Sequence, residues 1–109
     1  MKVGIIRCNQ TEDLCPGTSC FKALKTGSGA FQNSSENEII GFVSCGGCPG
    51  KKAIPRALKM IEKGADAIAI STCISKGAPI KFPCPHFEMI KNALKQNLPE
   101  NIKILDNTH

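Results

Sequence analysis

The 109-residue sequence contains no tryptophan and no tyrosine, and its aromatic side chains are five phenylalanines. Proteins that bind single-stranded nucleic acid stack the bases on aromatic side chains, so this scarcity argues against nucleic acid as a partner. The net charge of +5 does not alter that expectation, because the lysines are dispersed. The basic residues at 51, 52, 56, 59 and 63 fall largely on the polar side of one predicted helix, which indicates a solvated face.

Long apolar runs are missing as well. None approaches the roughly 18 residues that a bilayer span requires, and the N-terminal run MKVGIIRC is too short for a signal peptide. We therefore expect no membrane partner, a cytoplasmic location and one domain over residues 1–109. Cysteines in such a protein favour metal or redox chemistry over disulfides, and the odd count of seven also argues against a fully paired framework.

Two common phosphate-binding arrangements are absent from the sequence. The segment GGCPG at 46–50 lacks the spacing and the lysine of a P-loop. Arg56 lies too far from Cys48 to complete the short loop of a cysteine phosphatase. Glu12 and Asp13 are expected to be a solvated pair rather than a general base or hard-metal ligands.

What the sequence does contain is an alternation of strand and helix patterns. Four short apolar runs predict strands, over residues 2–8, 38–45, 67–73 and 101–106. Their nearly continuous apolar character indicates strands that are covered on both faces. Apolar residues at helical spacing predict helices over 54–65 and 87–98. The first connection predicts a short helix at 18–26, followed by exposed loop at 27–29 and 32–37.

This alternation predicts an α/β fold, specifically a small three-layer sandwich with a four-stranded parallel sheet. Right-handed crossovers place every junction from strand to helix at the same edge of such a sheet. The favoured strand order is the flavodoxin-like order 2-1-3-4.

Six of the seven cysteines are expected to gather at that edge. Three of them close an apolar run, namely Cys8, Cys45 and Cys73, and three precede a proline at a predicted helix start, namely Cys15, Cys48 and Cys84. Ligands of parallel α/β folds bind outside the carboxyl ends of the strands. Since the first and third strands are neighbours in the favoured order, Cys8 and Cys73 are candidates for one site. The alternative is that either cysteine simply fills the core, as free cysteine often does.

The segment Cys45-Gly46-Gly47-Cys48-Pro49 follows a predicted strand and opens a predicted helix. The two glycines permit a sharp turn, so that two sulfurs can converge on one point. Pro49 suits the first helical position, which would place Cys48 at the cap, where the helix dipole and the lysines that follow favour a thiolate. The same two-residue spacing occurs in zinc sites, iron-sulfur sites and disulfide oxidoreductases, so the pair alone does not choose between them.

A second constellation is Pro83-Cys84-Pro85-His86. Its prolines fix the backbone, Cys84 is expected at a helix cap and His86 in the first turn, and sulfur with imidazole suits zinc. The alternative for His86 is a capping or partly buried histidine. Cys15 and Cys20 are candidates for a lid or a second metal pair. The alternative for these two cysteines is a local structural role.

Together these motifs resemble the CGGC-domain family, a small prokaryotic group rich in cysteine and histidine. The resemblance spans essentially the whole chain, and its segments are GIIRC at 4–8, CPG at 15–17, Cys20, GFVSCGGCPG at 41–50, Cys73, CPH at 84–86 and TH at 108–109. In the family pattern a glycine precedes the closing Thr-His pair, and this chain has Asn107 at that position instead. The resemblance implies a metal-binding role, usually with zinc, and no established reaction.

The leading hypothesis is a zinc-binding domain in which Cys45 and Cys48 form one ligand pair and Cys73, Cys84 or His86 complete a tetrahedral site. The candidate ligands are more numerous than the four that one zinc ion takes, and they are Cys8, Cys15, Cys20, Cys45, Cys48, Cys73, Cys84, His86 and His109. For His109, the last residue, the alternative is a disordered tail.

Two other functions stay open. In a thiol-disulfide enzyme or carrier, Cys45 and Cys48 would be the redox-active pair, and an iron-sulfur cluster held by the cysteines is a related alternative. A module that senses metal or oxidant and signals to a protein partner is the third hypothesis. The sequence does not specify a substrate, and it does not say whether two chains pair.

Overall fold

The structure is a computed structural model that describes residues 1–32 and 36–109. Its strands are β1 (Lys2–Arg7), β2 (Glu38–Ser44), β3 (Ala67–Ile70) and β4 (Lys103–Leu105). Its α-helices are α1 (Thr18–Thr26), α2 (Ala53–Glu62), α3 (Thr72–Ser75) and α4 (Phe87–Asn97). Short 3-10 turns lie at Asn9–Thr11 and Gly29–Phe31. The loop expected over 32–37 includes residues 33–35, which lie outside the described residues.

The four strands form one parallel sheet with the order β2-β1-β3-β4. This confirms the predicted α/β fold, its parallel sheet and its strand order. In the centre of the sheet, Val3 to Ile6 of β1 pair with Ala67 to Ile70 of β3. Because all strands are parallel, the residues that follow β1, β2 and β3 lie at one edge, as the sequence pattern predicted.

Helices cover both faces of the sheet, and each face has its own core. Val3 and Ile5 pack with buried residues of α1, whereas Ile6 and Ile70 pack with buried residues of α2 and α4. Successive residues of a strand point to opposite faces, so the central strands read as continuous apolar runs. The result is the expected three-layer arrangement.

Helix α2 approaches the sheet closely at two glycines, Gly4 of β1 and Gly41 of β2. A β-carbon at either position would lie 2.7 Å from Sδ of Met60, a buried residue of α2. The missing side chains therefore make room for the methionine. This contact seats α2 on the strands that lead to Cys8 and Cys45.

Helix α2 begins later than Pro49, the residue that the sequence suggested as its first helical position. Its first residue is Ala53 and its N-cap is Lys52, so the prediction that Cys48 lies at the helix cap was wrong. The physical reason is the backbone of Gly50, whose φ of 91° belongs to the left-handed region and interrupts a right-handed helix. The segment from Cys48 to Gly50 is therefore a turn between strand and helix.

The expected position of Cys73 at the end of the third strand was also wrong. β3 ends at Ile70, and Ser71 is the N-cap of the one-turn helix α3, in which Cys73 lies. The backbone N–H of Ile74 donates to the carbonyl of Ser71 over 2.9 Å. The strand pattern continued to Cys73 because the residues of this short helix are also buried.

Helices α1 and α4 begin at Thr18 and Phe87, where the predicted helical segments begin, but after the Cys-Pro pairs that were expected to mark their starts. α4 begins at Phe87 with His86 at the N-cap, so the prediction of Cys84 at the cap was wrong. α1 begins at Thr18 with Gly17 at the N-cap, two residues after Cys15. Within residues 1–32 and 36–109, no helix is both long enough and apolar enough to span a membrane.

Candidate metal centre

A pocket of about 230 Å³ opens at the carboxyl edge of the sheet. Four cysteines line it, namely Cys8, Cys48, Cys73 and Cys84. Ile80 and Phe82 contribute apolar walls, and nearly all of the exposed lining is apolar. The four thiols come from four different stretches of chain, so the fold itself assembles them.

Backbone hydrogen bonds hold the cysteine-bearing segments against one another. The N–H of Cys45 donates to the carbonyl of Arg7 over 2.8 Å, which places Cys45 beside the residue before Cys8. The N–H of Cys84 donates to the carbonyl of Ile74 over 3.0 Å, which places Cys84 beside the residue after Cys73. The N–H of Cys8 donates directly to Cys73 Sγ over 3.2 Å. The prediction that Cys8 and Cys73 lie close together is thus confirmed.

Cys45 is the fifth thiol of this group, although it does not line the pocket surface. It is buried in the same core cluster as Cys8 and Cys73, with Cys84 packed against that cluster. We call the five cysteines Cys8, Cys45, Cys48, Cys73 and Cys84 the thiol cluster. All seven cysteines of the chain are free thiols.

Burial and mutual repulsion keep part of the thiol cluster protonated. Burial is the largest cause that raises the pKa of Cys8, and the neighbouring Cys73 and Cys45 raise it further, against backbone hydrogen bonds from Gln10 and Thr11 that lower it. Burial likewise raises the pKa of Cys84, with Cys8, Cys48 and Cys45 adding to the effect. A cation at this pocket would offset the repulsion between thiolates.

The loop between Cys45 and Cys48 is built by its glycines and by one arginine. Gly46 and Gly47 have φ values of 81° and 98°, which glycine adopts without the steric strain that other residues meet. Arg56 of α2 donates through Nη1 to the carbonyl and the hydroxyl of Ser44, over 3.1 and 2.9 Å. The start of the loop is therefore fixed to the helix that follows it.

Solvent reaches the members of the thiol cluster unequally. Cys48 is exposed and Cys84 is half-buried, whereas Cys8, Cys45 and Cys73 are buried. Because α2 starts only at Ala53, the helix N-terminus invoked from the sequence to activate Cys48 lies five residues further on. The structure thus removes that argument for a redox-active Cys45 and Cys48 pair.

His86 lies next to the thiol cluster. Its backbone N–H donates to Cys84 Sγ over 3.4 Å, and its residue is half-buried at the N-cap of α4. The contact that the structure records is made by the backbone of His86. The predicted proximity of the His86 imidazole to the Cys84 thiol stays a prediction.

Three of the predicted ligands lie elsewhere. Cys15 and His109 line a separate pocket of about 330 Å³, together with Thr18, Ser19 and other residues. The carbonyl of Cys15 accepts a hydrogen bond from Nη2 of the buried Arg7 over 2.5 Å. Cys20 is buried in the core on the α1 face of the sheet.

The sequence did not single out several polar residues that adjoin the thiol cluster. Ser71, Thr72 and Thr108 are all buried, and Thr72 Oγ1 accepts hydrogen bonds from the N–H groups of Thr108 and His109 over 3.1 and 3.0 Å. These contacts hold the last two residues against α3. The sequence signal for this part of the site was Ser71, directly after the apolar run of β3, because serine is favoured at helix N-caps.

The donor set suits a soft metal ion, since thiolates prefer such ions. Its members do not form a preformed coordination sphere: over residues 1–32 and 36–109, no three cysteine, histidine, aspartate or glutamate side chains are arranged to hold a metal ion. The sulfur donors of the site therefore suit a metal ion, whereas the present arrangement of these donors does not form a coordination sphere. Side chains around the pocket would have to move before they could coordinate an ion together.

These features define a parallel α/β domain with a thiol-lined pocket at the carboxyl edge of its sheet. The model of the CGGC domain family matches residues 2–109, and the chain belongs to this cysteine-rich family, to which a metal-binding role is attributed. An uncharacterized protein from Methanocaldococcus jannaschii is 37% identical over 118 residues, which cover 100% of this chain and 87% of the relative. No solved structure gave a significant match.

Proposed function

We propose that this domain binds a thiophilic metal ion, with zinc as the expected ion, through the thiol cluster. The observation that carries the proposal is the convergence of four cysteines on one apolar pocket, with Cys45 beside them. Soft sulfur donors select zinc, copper(I) or iron-sulfur clusters over hard cations such as magnesium. The attribution of metal binding to the family supports the same conclusion.

Electrostatics supports a cation in this place. The pocket lining contains no lysine or arginine, and neighbouring cysteines help to raise the pKa of Cys8 and that of Cys84. A set of thiolates without a positive partner is unfavourable in an apolar environment. A divalent ion supplies that charge and displaces the thiol protons as it binds.

The proposed ligands are drawn from the five residues of the thiol cluster, which outnumber the four that a closed zinc site takes. Bound zinc would supply a cross-link between the turn after β1, the loop after β2, α3 and the segment before α4. Cys15, Cys20 and His109 are not part of this proposed site because they lie in other parts of the fold. His86 contributes a hydrogen bond to Cys84 and is not needed as a ligand.

A zinc titration tests the proposal. The metal-free protein is titrated anaerobically with zinc against a competing chromophoric chelator, for the wild type and for Cys48→Ser, Cys73→Ser and Cys15→Ser. The first two variants remove thiols of the pocket, and we expect each to weaken zinc binding by more than about tenfold, since a coordinated thiolate is lost. Cys15→Ser removes a half-buried thiol of the other pocket and should bind zinc as the wild type does.

Two results would contradict the proposal. One is a wild-type protein that takes up no zinc at any ratio in the absence of oxygen. The other is equal loss of binding in all three variants, because this would mean that the thiols outside the pocket matter as much as those within it. Circular dichroism of each variant separates loss of binding from loss of fold.

A further inference from the structure

Cys73 joins the thiol cluster to a chain of buried groups that do not line the pocket. Its thiol donates to Ser71 Oγ over 3.3 Å. Ser71 Oγ lies 3.3 Å from Cys20 Sγ, and Cys20 Sγ lies 3.2 Å from Thr108 Oγ1. The exposed fractions of Ser71, Cys20, Cys73 and Thr108 are 2%, 3%, 5% and 0%, so these groups are shielded from bulk solvent.

Cys73 Sγ has hydrogen-bond partners on two sides. The backbone N–H of Cys8 donates to it over 3.2 Å, and Ser71 Oγ accepts a hydrogen bond from its S–H group. A thiolate bound to a metal has no proton and only accepts hydrogen bonds. When Cys73 coordinates a metal, the Ser71 hydroxyl must therefore turn and become a donor to Cys73.

Cys20 makes that turn possible without an unpaired group. Either atom of the contact between Ser71 and Cys20 can be the donor, and the same holds for the contact between Cys20 and Thr108. When the Ser71 hydroxyl donates to Cys73, the thiol of Cys20 can donate to Ser71 Oγ in return. These hydrogen bonds then run in the opposite direction, and each of the buried groups that make them keeps a partner.

We propose that Ser71 is a positioning residue for Cys73, and that Cys20 serves as the reversible hydrogen-bond partner of Ser71 rather than as a metal ligand. The inference rests on the proposed function, since it takes Cys73 to be a ligand of the bound ion. It assigns a role to a cysteine that the thiol cluster leaves out. It also connects the metal site to the C-terminal residues, because Thr108 ends the chain of contacts.

Substitutions at Cys20 separate the two roles of that residue. Cys20→Ser keeps a group that donates and accepts, whereas Cys20→Ala removes it. We expect Cys20→Ala to weaken zinc binding about tenfold, because the buried Ser71 Oγ then donates to Cys73 without a donor to it in return, and Cys20→Ser to stay within about threefold of the wild type. A direct ligand role predicts instead that both variants lose binding alike, and that result would overturn the inference.

Substitutions at Ser71 test the positioning role itself. Ser71→Ala should weaken zinc binding about tenfold, and the hydroxyl of Ser71→Thr should restore it. Ser75→Ala is the matched control, because Ser75 lies one helical turn away and its buried Oγ has no hydrogen-bond partner among the residues described. Wild-type affinity in Ser71→Ala would overturn the inference. If Ser71→Ala fails to fold, the Cys20 pair decides.

A measurement without metal distinguishes failure of this inference from failure of the proposed function. The S–H stretching band in the Raman spectrum of the metal-free protein moves to higher wavenumber when a thiol loses its acceptor. We expect this change in Ser71→Ala and not in Ser75→Ala. If the wild type binds no zinc, the proposed function fails, and an unchanged band in Ser71→Ala would then overturn the contact from Cys73 to Ser71 as well.

Discussion

At the scale of single residues, the cysteines differ chiefly in how far solvent reaches their sulfur atoms. Cys48 is exposed, Cys15 and Cys84 are half-buried, and Cys8, Cys20, Cys45 and Cys73 are buried. Alkylation requires an accessible thiolate, so reactivity should follow exposure. The gradient also indicates that an ion entering the pocket meets Cys48 before the buried thiols.

We predict that iodoacetamide modifies Cys48 first in the metal-free protein and that zinc protects it. The protection follows from coordination, which removes the free electron pair of the thiolate from reaction. Peptide mass spectrometry after timed alkylation measures both effects, with Cys15 as the internal control. Zinc that slows the alkylation of Cys15 as strongly as that of Cys48 would argue against a site confined to the thiol cluster.

The sequence predicted part of this residue-level picture. Cys8 and Cys73 were placed together because the predicted strands were neighbours, and the structure records their contact. Cys20 was grouped with Cys15 by spacing, but α1 carries its side chain into the core on the other face. The hydrogen bond from Cys73 to Ser71 depends on the one-turn helix α3, and a single turn has too few residues to show helical periodicity.

At the scale of elements, the loop between β2 and α2 is shaped by its glycines in two different ways. A β-carbon at Gly46 would lie 2.5 Å from Cβ of Lys52, whereas a β-carbon at Gly47 would meet nothing within 4 Å. Both residues have positive φ, so a side chain at either is strained. Of these two glycines, only Gly46 combines that strain with a steric clash.

We predict that Gly46→Ala destabilises the loop more than Gly47→Ala does. The left-handed backbone alone costs about 1–2 kcal/mol at each position, and the clash with Lys52 adds to this at Gly46. Urea unfolding gives the stability of each variant, and the zinc titration gives the effect on the site. Equal effects of the two substitutions would mean that contact with Lys52 does not shape this loop.

The elements themselves were largely predictable, whereas the expected helix caps at Cys48 and Cys84 were wrong. Apolar spacing located the helices now assigned as α1, α2 and α4, because each has one face on a core. The delayed start of α2 comes from the backbone of Gly50, and a glycine in sequence permits a left-handed conformation without requiring one. Proline at 49 was therefore a misleading signal for the first turn of the helix.

At the scale of the whole molecule, the stability of the metal-free protein depends on pH through its buried thiols. The pKa of Cys8 and that of Cys84 are raised above the ordinary value of 9.0, chiefly by burial. These thiols lose their protons at higher pH in the folded chain than in the unfolded chain. Their contribution to stability is therefore present below about pH 9 and is lost as the pH rises through their folded-state pKa.

We predict that the metal-free protein loses stability as the pH rises above about 9, and that Cys8→Ser shows a shallower loss. The variant removes one titrating thiol and leaves the lysines, which titrate in both proteins. Urea midpoints at several pH values, with constant ionic strength and reductant, provide the comparison. Identical slopes for the two proteins would show that Cys8 does not carry the effect.

Bound zinc should stabilise the whole fold, because the thiol cluster joins segments that follow β1 and β2 to segments around α3 and α4. Binding to the folded chain alone adds about 2.7 kcal/mol at a free zinc concentration 100 times Kd. Thermal unfolding with increasing zinc measures this, and the midpoint should rise in the wild type and in Cys15→Ser. A rise of the same size in Cys73→Ser would place the stabilising site outside the pocket.

The central claim is that the thiol cluster holds a thiophilic metal, and the metal content of the protein tests it most directly. The wild type, purified without oxygen, is analysed for its elements and by visible absorption. We predict about one zinc ion per chain and no visible band, since zinc(II) is d10. Iron together with a visible band would show that the thiol cluster holds an iron-sulfur cluster instead of zinc. A metal-free protein with a reversible Cys45–Cys48 disulfide would contradict the claim.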